Sequence, residues 1–396
     1  MTRKVAAVLV DRANYGRLKP ALDAINEHPE LQLQLICAGT MVLERFGAPV
    51  NIVKKDGFTV DSEIYIELEG SVPTTMAKSL GFAVIEFSSQ LQRLQPEIVL
   101  IIGDRYEALA AGLAAAYMNI PIAHVQGGEV SGSIDESARH CLTKLAQYHF
   151  PATKRAAEYI QRMGEDKQSV FYVGCPSSDI ALNLDKTLPL DIFDSGIGGS
   201  IDPGLPYILV IVHPITTGFG TERDQTLQVL EAMSTLQKQT IWLWPNVDAG
   251  SDHVSSAIRT FREQNNTSWL RLIKNFPPDL YSKVLANASC VVGNSSSFIR
   301  DSGFYGTPVV IVGDRQVGRE VANNVLFVDY DAASILDAIQ KQLVHGRFQP
   351  SDLYGDGNAS QRIANALSEV PLYVQKRLAY VEDSRHVVIG DLLDEF

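Results

Sequence analysis

Long apolar stretches, paired cysteines and an excess of basic residues are all missing from this sequence. The opening stretch, MTRKVAAVLVDRANYG, holds an apolar run of only about six residues before charge resumes, too short for a signal peptide or a membrane span and suited to a first strand. Four cysteines, Cys37, Cys141, Cys175 and Cys290, lie far apart and form no C-x-x-C pair. Neither a disulfide framework nor a zinc knuckle is expected from them, and a reduced cytoplasm fits. Lys and Arg number 34 against 46 Asp and Glu, a net charge of −12. That balance argues against a nucleic-acid surface or an anionic membrane, and leaves small anionic ligands held in a local basic pocket. No short-period repeat or low-complexity tract interrupts the chain.

What is present is an ordinary globular composition, 45% hydrophobic and 20% charged, spread over 396 residues. That length exceeds the roughly 250–300 residues at which one core stops growing, so two domains are expected. Apolar runs of strand length fall at 5–10, 32–38, 97–102, 120–125 and 169–173, then at 207–212, 240–244, 269–274, 290–292, 308–312 and 325–328. Helical spacing over 106–118, 136–145 and 156–163 separates some of them, the last stopping at Gly164. Such alternation predicts βαβ units and parallel sheets. The Gly-, Pro-, Asp- and Ser-rich segment 183–206 breaks it and serves as the expected boundary. Residues 1–183 then form one Rossmann-like domain and 184–369 a second. Two helical stretches follow, 358–368 and 371–384, and the terminal piece 370–396 is expected to pack back on the first domain. The fold class is α/β, two doubly wound domains of the glycosyltransferase-B type with a cleft between them.

Open α/β sheets place ligands at the carboxyl ends of their strands, so the residues after each apolar run carry the functional argument. Gly103-Asp104-Arg105 follows one strand, setting a carboxylate beside a guanidinium, although a helix cap with a surface arginine explains the pair equally well. His124-Val125-Gln126-Gly127-Gly128-Glu129 follows the next. Its paired glycines admit a close ligand, and Asp135 and Glu136 downstream read either as acid and base or as dipole-stabilising acids of a helix first turn. His124 reads equally as a core histidine. In the second half, His213 begins HPITT, Asn246 lies in WPNVDAG, and Gly293-Asn294-Ser295-Ser296-Ser297 precedes a helix. That last string offers hydroxyls and unpaired N–H groups suited to phosphate, or is a plain serine cap; it lacks the spacing and lysine of a Walker loop.

Taken in order, RANY, GDRYEALA, MNIPIAHVQGGEVSGSIDESARH, TKLAQYH, GCPSSD, HPITT, PNVDAGS, GNSSS, GFYGTPV, GDRQVGRE and YGDGNA run from about Val5 to Ile363. They resemble the hydrolysing UDP-N-acetylglucosamine 2-epimerases of sialic-acid and legionaminic-acid biosynthesis, including the epimerase domain of the bifunctional animal enzyme that also carries a sugar kinase. The resemblance implies nucleotide contacts at Arg12, His213, Asn246, Ser295, Ser296, Asp301 and Arg315, and sugar-side chemistry at Asp104, Arg105, Gln126, Asp135 and Glu136, with Glu129 as a further acid and His213 beside the reacting centre. It implies anti elimination of UDP across C1 and C2 to an enzyme-bound 2-acetamidoglucal, then hydration on the other face to give N-acetylmannosamine and UDP. No redox cofactor and no metal are implied; the partners are a UDP-amino sugar and further copies of the chain, as a dimer or tetramer.

A C2 proton is barely acidic, so departure of the leaving group must run ahead and leave positive charge on the ring for Asp104 and Asp135 to stabilise. Arg105, Arg315 and the GNSSS turn would meet the charge on the departing diphosphate. Departures from the family pattern are Asn14 and Gln126 where relatives carry acids, Asp301 for a Glu, and Phe298 for a Gly. An amide at 126 cannot accept the C2 proton as a carboxylate does. These changes point to a sugar altered in its substituents, with UDP-2,4-diacetamido-2,4,6-trideoxyglucose as the variant. A non-hydrolysing epimerase, a glycosyltransferase of the same architecture and a catalytically silent UDP-sugar sensor are the rival readings.

Overall fold

The computed structural model of the protein describes residues 2–381 apart from Ser71, Asn246 and Val247. Six strands, β1 Arg3–Leu9, β2 Leu31–Ala38, β3 Ser62–Ile64, β4 Ile98–Ile102, β5 Ile122–Val125 and β6 Tyr148–Phe150, form one sheet in the order β3-β2-β1-β4-β5-β6. Every pairing in it is parallel. Seven more, β7 Ile197–Gly198, β8 Ile208–Ile211, β9 Thr240–Leu243, β10 Leu270–Ile273, β11 Cys290–Gly293, β12 Val309–Val312 and β13 Val325–Val328, form a second sheet ordered β13-β12-β11-β8-β9-β10-β7. Apart from the short antiparallel edge strand β7, this sheet repeats the order of the first, its chain beginning centrally at β8 and reversing at β11. Both are the doubly wound 3-2-1-4-5-6 arrangement.

The central strands form because both of their faces are covered. In β1, Val5, Ala7 and Leu9 enter one core while Ala6 and Val8 enter the core on the opposite face; in β8, Leu209 and Ile211 separate in the same way from Ile208 and Val210. Each large apolar side chain so buried contributes about 1.5–3 kcal/mol, which makes the strand ends rigid mounts for the loops that leave them. Helices occupy Tyr106–Tyr117, Asp135–Leu145 and Lys154–Arg162, and Gly164 turns with a φ of 87° beyond the last. Among the described residues, no helix is long and apolar enough to cross a membrane.

Three expectations change here. Residues 169–173 do not make a strand: a 3-10 turn, Lys167–Ser169, is capped by Asp166, and only Val170 bridges to His149. The segment 183–206 is packed rather than open, with Ile192, Phe193 and Ile201 in the second core and Phe193 edge-on to Tyr207 and Phe276. The terminal helix expected over 371–384 is not formed as far as residue 381, and 382–396 lie outside the described residues. Its backbone groups are used elsewhere: Gln147 Nε2 donates to Val374 O at 2.7 Å, Tyr148 OH donates to Pro371 O, and Ala379 N donates to Gly164 O at 2.8 Å. The return crossing is made instead by the helix Ala359–Glu369, whose Ile363, Ala364 and Leu367 sit in the first core with Leu18 and Leu22.

Candidate active site

The repeated strand order fixes where a site must form, because each sheet reverses direction once. In the first sheet the reversal lies between β1 and β4, followed by Asp11-Arg12 and Gly103-Asp104-Arg105; in the second it lies between β8 and β11, followed by His213 and Asn294-Ser295. Asn294 ties the second reversal together: its Oδ1 accepts from His213 N at 2.7 Å, and its Nδ2 donates to His213 O at 2.8 Å and to Tyr330 OH at 3.1 Å. Gly293, with a φ of 137°, permits this approach, since a Cβ there would meet Ile211 O at 1.9 Å. The two reversals face one another across a cleft.

One wall of the cleft is neutral and largely apolar. Ile211, Leu243, Trp244, Phe276, Pro278 and Tyr281 line it from the second domain, with Arg12, Gly16 and Arg17 opposite on the helix Arg12–Glu27. Its polar groups are held mostly by hydroxyls. Tyr281 OH lies 2.6 Å from Ser297 Oγ, which lies 2.9 Å from Ser295 Oγ, and Ser177 Oγ donates to Asp301 Oδ1 at 2.7 Å. Burial raises the Asp301 carboxyl, opposed by Arg17, Ser177 and Arg300. Burial likewise depresses His213 to about 3, helped by Arg315, so its imidazole is neutral at physiological pH. A neutral face of this shape suits a nucleoside, with Arg12 and the 295–297 hydroxyls at its polar end.

Adjoining this cleft at His213 is a second, charged side, a network of arginines and carboxylates drawn from both domains. Arg105 donates from Nε and Nη2 to Glu107, at 3.0 and 2.8 Å, and from Nη1 to Asp248 Oδ1 of the second domain at 2.9 Å. Its Nε also lies 3.5 Å from Asp11. Glu129 is buried between Arg300 Nη2 at 2.6 Å and Arg319 Nη1, both from the second domain. Gly128 just before it needs its φ of 77° and its missing side chain, because a Cβ would meet Ala156 O at 2.2 Å. Asp104 is gripped by Arg139 from Nε at 3.0 Å and from Nη2. Burial alone would raise the Asp104 carboxyl, but Arg139, Arg300 and Arg319 overcome it and hold the group ionised.

Asp135 behaves differently. It opens the helix Asp135–Leu145, accepts from Ser133 Oγ at 3.1 Å, and faces Arg315 Nη2 at 3.5 Å. Burial pushes its carboxyl up to about 6, the neighbouring Asp104 and Asp248 add to that, and Arg315 opposes it. Two nearby carboxyls are thereby split, one fixed as an anion and one able to exchange a proton near neutrality, the division expected of acid–base sites.

Several candidates read from the sequence are engaged otherwise than expected. Arg105 is surrounded by carboxylates and joins the domains. Glu129 is the centre of an interdomain ion cluster. Glu136 accepts from Ser131 N at 2.5 Å and pairs with His140 at 3.5 Å, closing its own turn. Ser295 and Ser297, in place of Ser296, line the cleft; Ser295 precedes the five-residue helix Ser296–Arg300 and Ser297 lies within it. His124 is a core histidine, its Nε2 2.7 Å from Gly103 O and its pKa lowered to about 4 by burial. Phe298 is fully buried in the second core, and Asn14 Oδ1 accepts from Val10 N at 3.4 Å in a local turn. Gln126 sits at a φ of 65°, its Oε1 accepting from Arg17 Nη1 at 3.0 Å and its Nε2 donating to Cys175 Sγ at 3.0 Å. Asn246 lies outside the described residues. Unread in the sequence were Arg17, Arg139, Arg300 and Arg319, whose partners come from distant chain; only the DESARH string hinted at Arg139. Among the described residues no group of three or more His, Cys, Asp or Glu is placed to hold a metal ion.

The chain is 33% identical over 375 residues to the UDP-N,N'-diacetylbacillosamine 2-epimerase (hydrolyzing) of Legionella pneumophila, covering 95% of this chain and 98% of that protein. It is 27% identical to a UDP-N-acetylglucosamine 2-epimerase of Neisseria meningitidis, over 92% and 95% of the two chains. The fold matches the Methanocaldococcus jannaschii UDP-GlcNAc 2-epimerase in complex with UDP-GlcNAc and UDP, with a TM-score of 0.75 at 17% identity over 92% of this chain and 99% of that one. The family model described as UDP-N-acetylglucosamine 2-epimerase matches residues 23–368, and the chain belongs to that family.

Proposed function

We propose that the protein is a hydrolysing 2-epimerase of a UDP-2-acetamido sugar, converting UDP-N-acetylglucosamine to N-acetylmannosamine and free UDP. The split pair of Asp104 and Asp135, in the charged cluster that adjoins a nucleoside-shaped cleft at His213, carries the reading. On it, the nucleoside lies along Trp244, Phe276 and Tyr281, with Arg12, His213, Ser295 and Asp301 at its ribose and phosphate groups. Breaking the C1–O bond places positive charge on the ring beside the ionised Asp104. Asp135 takes the C2 proton, a role an amide at Gln126 cannot fill. Water then adds at C1 and a proton at C2 from the other face, releasing the epimerised sugar.

The relative at 33% identity is named for UDP-N,N'-diacetylbacillosamine, which supports the same chemistry on the 2,4-diacetamido-2,4,6-trideoxy sugar as a second reading. Gln126 and Arg17, bonded to each other beside the cleft, are the groups suited to an added amide substituent. Cytoplasmic location and assembly with further copies of the chain belong to the proposal as well; Phe82 and Ile85, exposed at 40% and 62% on the helix Pro73–Leu94, offer an apolar face for the latter. The test is incubation with each nucleotide sugar and no acceptor. Free UDP and free sugar are expected. Intact nucleotide sugar with an inverted C2 would instead make the protein a non-hydrolysing epimerase, and release only with an acceptor a glycosyltransferase.

A further inference from the structure

Arg315 occupies a position that the nucleotide and sugar halves of the cleft both require. Its Nη1 donates to the carbonyl of Asn294, directly before Ser295, at 3.2 Å, while its Nη2 lies 3.5 Å from Asp135 across the interdomain gap. The second contact is held by packing of the two loops. Gly132 N donates to Arg315 O at 3.1 Å, and a Cβ on Gly132 would fall 2.0 Å from Asp314 O, so only a glycine admits this approach. Around Asp135 stand Asp104 and Arg105 from the loop after β4, Asp248 from the loop after β9, Arg315 from the loop after β12, and Glu136 and Arg139 on its own helix. Arg139 is committed to Asp104, and Arg105 to Glu107 and Asp248. Arg315 is therefore the cation most directly opposed to Asp135.

Resting on the site reading above, we propose that Arg315 is shared between Asp135 and the diphosphate: UDP, once separated from the sugar, draws the guanidinium off Asp135, which holds a proton while UDP stays bound and, when free UDP docks from solution, takes that proton from solvent. A diphosphate offers an arginine paired, strongly charged acceptors, where Asp135 offers a contact of 3.5 Å, so the phosphate competes well. Removing an opposing cation and adding an anion nearby both favour the neutral carboxyl. No covalent bond changes in this step; one proton moves from solvent to Asp135. The consequence is timing. Asp135 is ionised and ready for the C2 proton until the bond to UDP breaks, and it keeps that proton while the freed UDP remains bound.

The experiment is calorimetric titration of the full chain with UDP at pH 7 in buffers of different ionisation heat, which counts protons exchanged on binding. UDP contributes the same protons of its own to wild type and to Asp135→Asn, so the difference isolates Asp135. The wild type should take up more protons than Asp135→Asn, by about half a proton or more, and the difference should vanish at pH 5, where Asp135, at about 6, is already protonated. Gly132→Ala keeps both charges but parts the loops, and its uptake should fall toward that of Asp135→Asn. Equal uptake in wild type and Asp135→Asn, with UDP still bound, would overturn the sharing and leave the site reading in place. Full uptake in Gly132→Ala would overturn it too, and a wild type that fails to bind UDP would overturn both.

Discussion

The two walls of the cleft are built on different principles. The apolar wall takes its residues from the second domain and holds its polar groups with serine and tyrosine hydroxyls; the charged side takes arginines and carboxylates from both domains, and Arg105, Glu129 and Asp135 each have a partner across the gap. A neutral wall binds and orients at little electrostatic cost. A charged wall made of shared pairs exists only when the domains are together, so its chemistry is tied to closure. Substitutions on the charged wall should accordingly cost far more than substitutions on the neutral one.

The largest effect should come from the split carboxyl pair. Asp104→Asn and Asp135→Asn should each lower turnover by about 10²–10⁴, the range for losing a general acid or base, with UDP affinity nearly kept; steady-state rates and calorimetry together check this. With Asp135 at about 6 in the empty cleft, its base form is present above that pH and lost below it. The kcat/KM profile of the wild type should therefore fall on the acid side near pH 6, about tenfold per unit, and Asp135→Asn should lack that limb. A wild-type limb near pH 4 would assign the base to an ordinary carboxyl elsewhere.

The next effect separates chemistry from closure. Glu129→Gln leaves Arg300 and Arg319 buried beside a neutral amide, and breaking a buried ion pair by removing one partner costs about 3–5 kcal/mol. Denaturant unfolding should report a loss of that order, whereas Glu136→Gln, at a partly exposed turn, should cost only about 0.5–1.5 kcal/mol. Equal losses would mean that Glu129 is not the interdomain link the contacts describe. The smallest effect is expected on the neutral wall. Ser295→Ala should weaken UDP binding by about 0.5–1.5 kcal/mol, the worth of one hydroxyl bond, and Ser296→Ala by less, because Ser295 lines the cleft and Ser296 follows it into the helix.

The same contrast separates what the sequence discloses from what it hides. Strand positions such as 98–102 and 290–292 are legible because buried parallel strands are written as short unbroken apolar runs rich in β-branched residues, and the polar residues after them sit where the sheets reverse. Short strands of three residues, such as β3 and β6, leave too brief a pattern to read. The terminal strap reads as a helix in sequence because its backbone partners, Gln147 and Tyr148, lie more than two hundred residues away. For the same reason Glu129 looks like a free acid: nothing local announces Arg300 or Arg319. Gln126 and Phe298 look alike as departures from the family pattern, yet one lies beside the cleft and the other in the core, a distinction that only packing makes.

The central claim is that the sugar loses UDP and its C2 proton and regains the elements of one water, a hydroxyl at C1 and a proton at C2. Proton NMR of the reaction run in D2O, with UDP-N-acetylglucosamine and with UDP-N,N'-diacetylbacillosamine in turn, tests it most directly. Free UDP together with a 2-epimerised sugar carrying deuterium at C2 is the predicted result. A product that retains the substrate's own C2 hydrogen, or that stays attached to UDP, would contradict it.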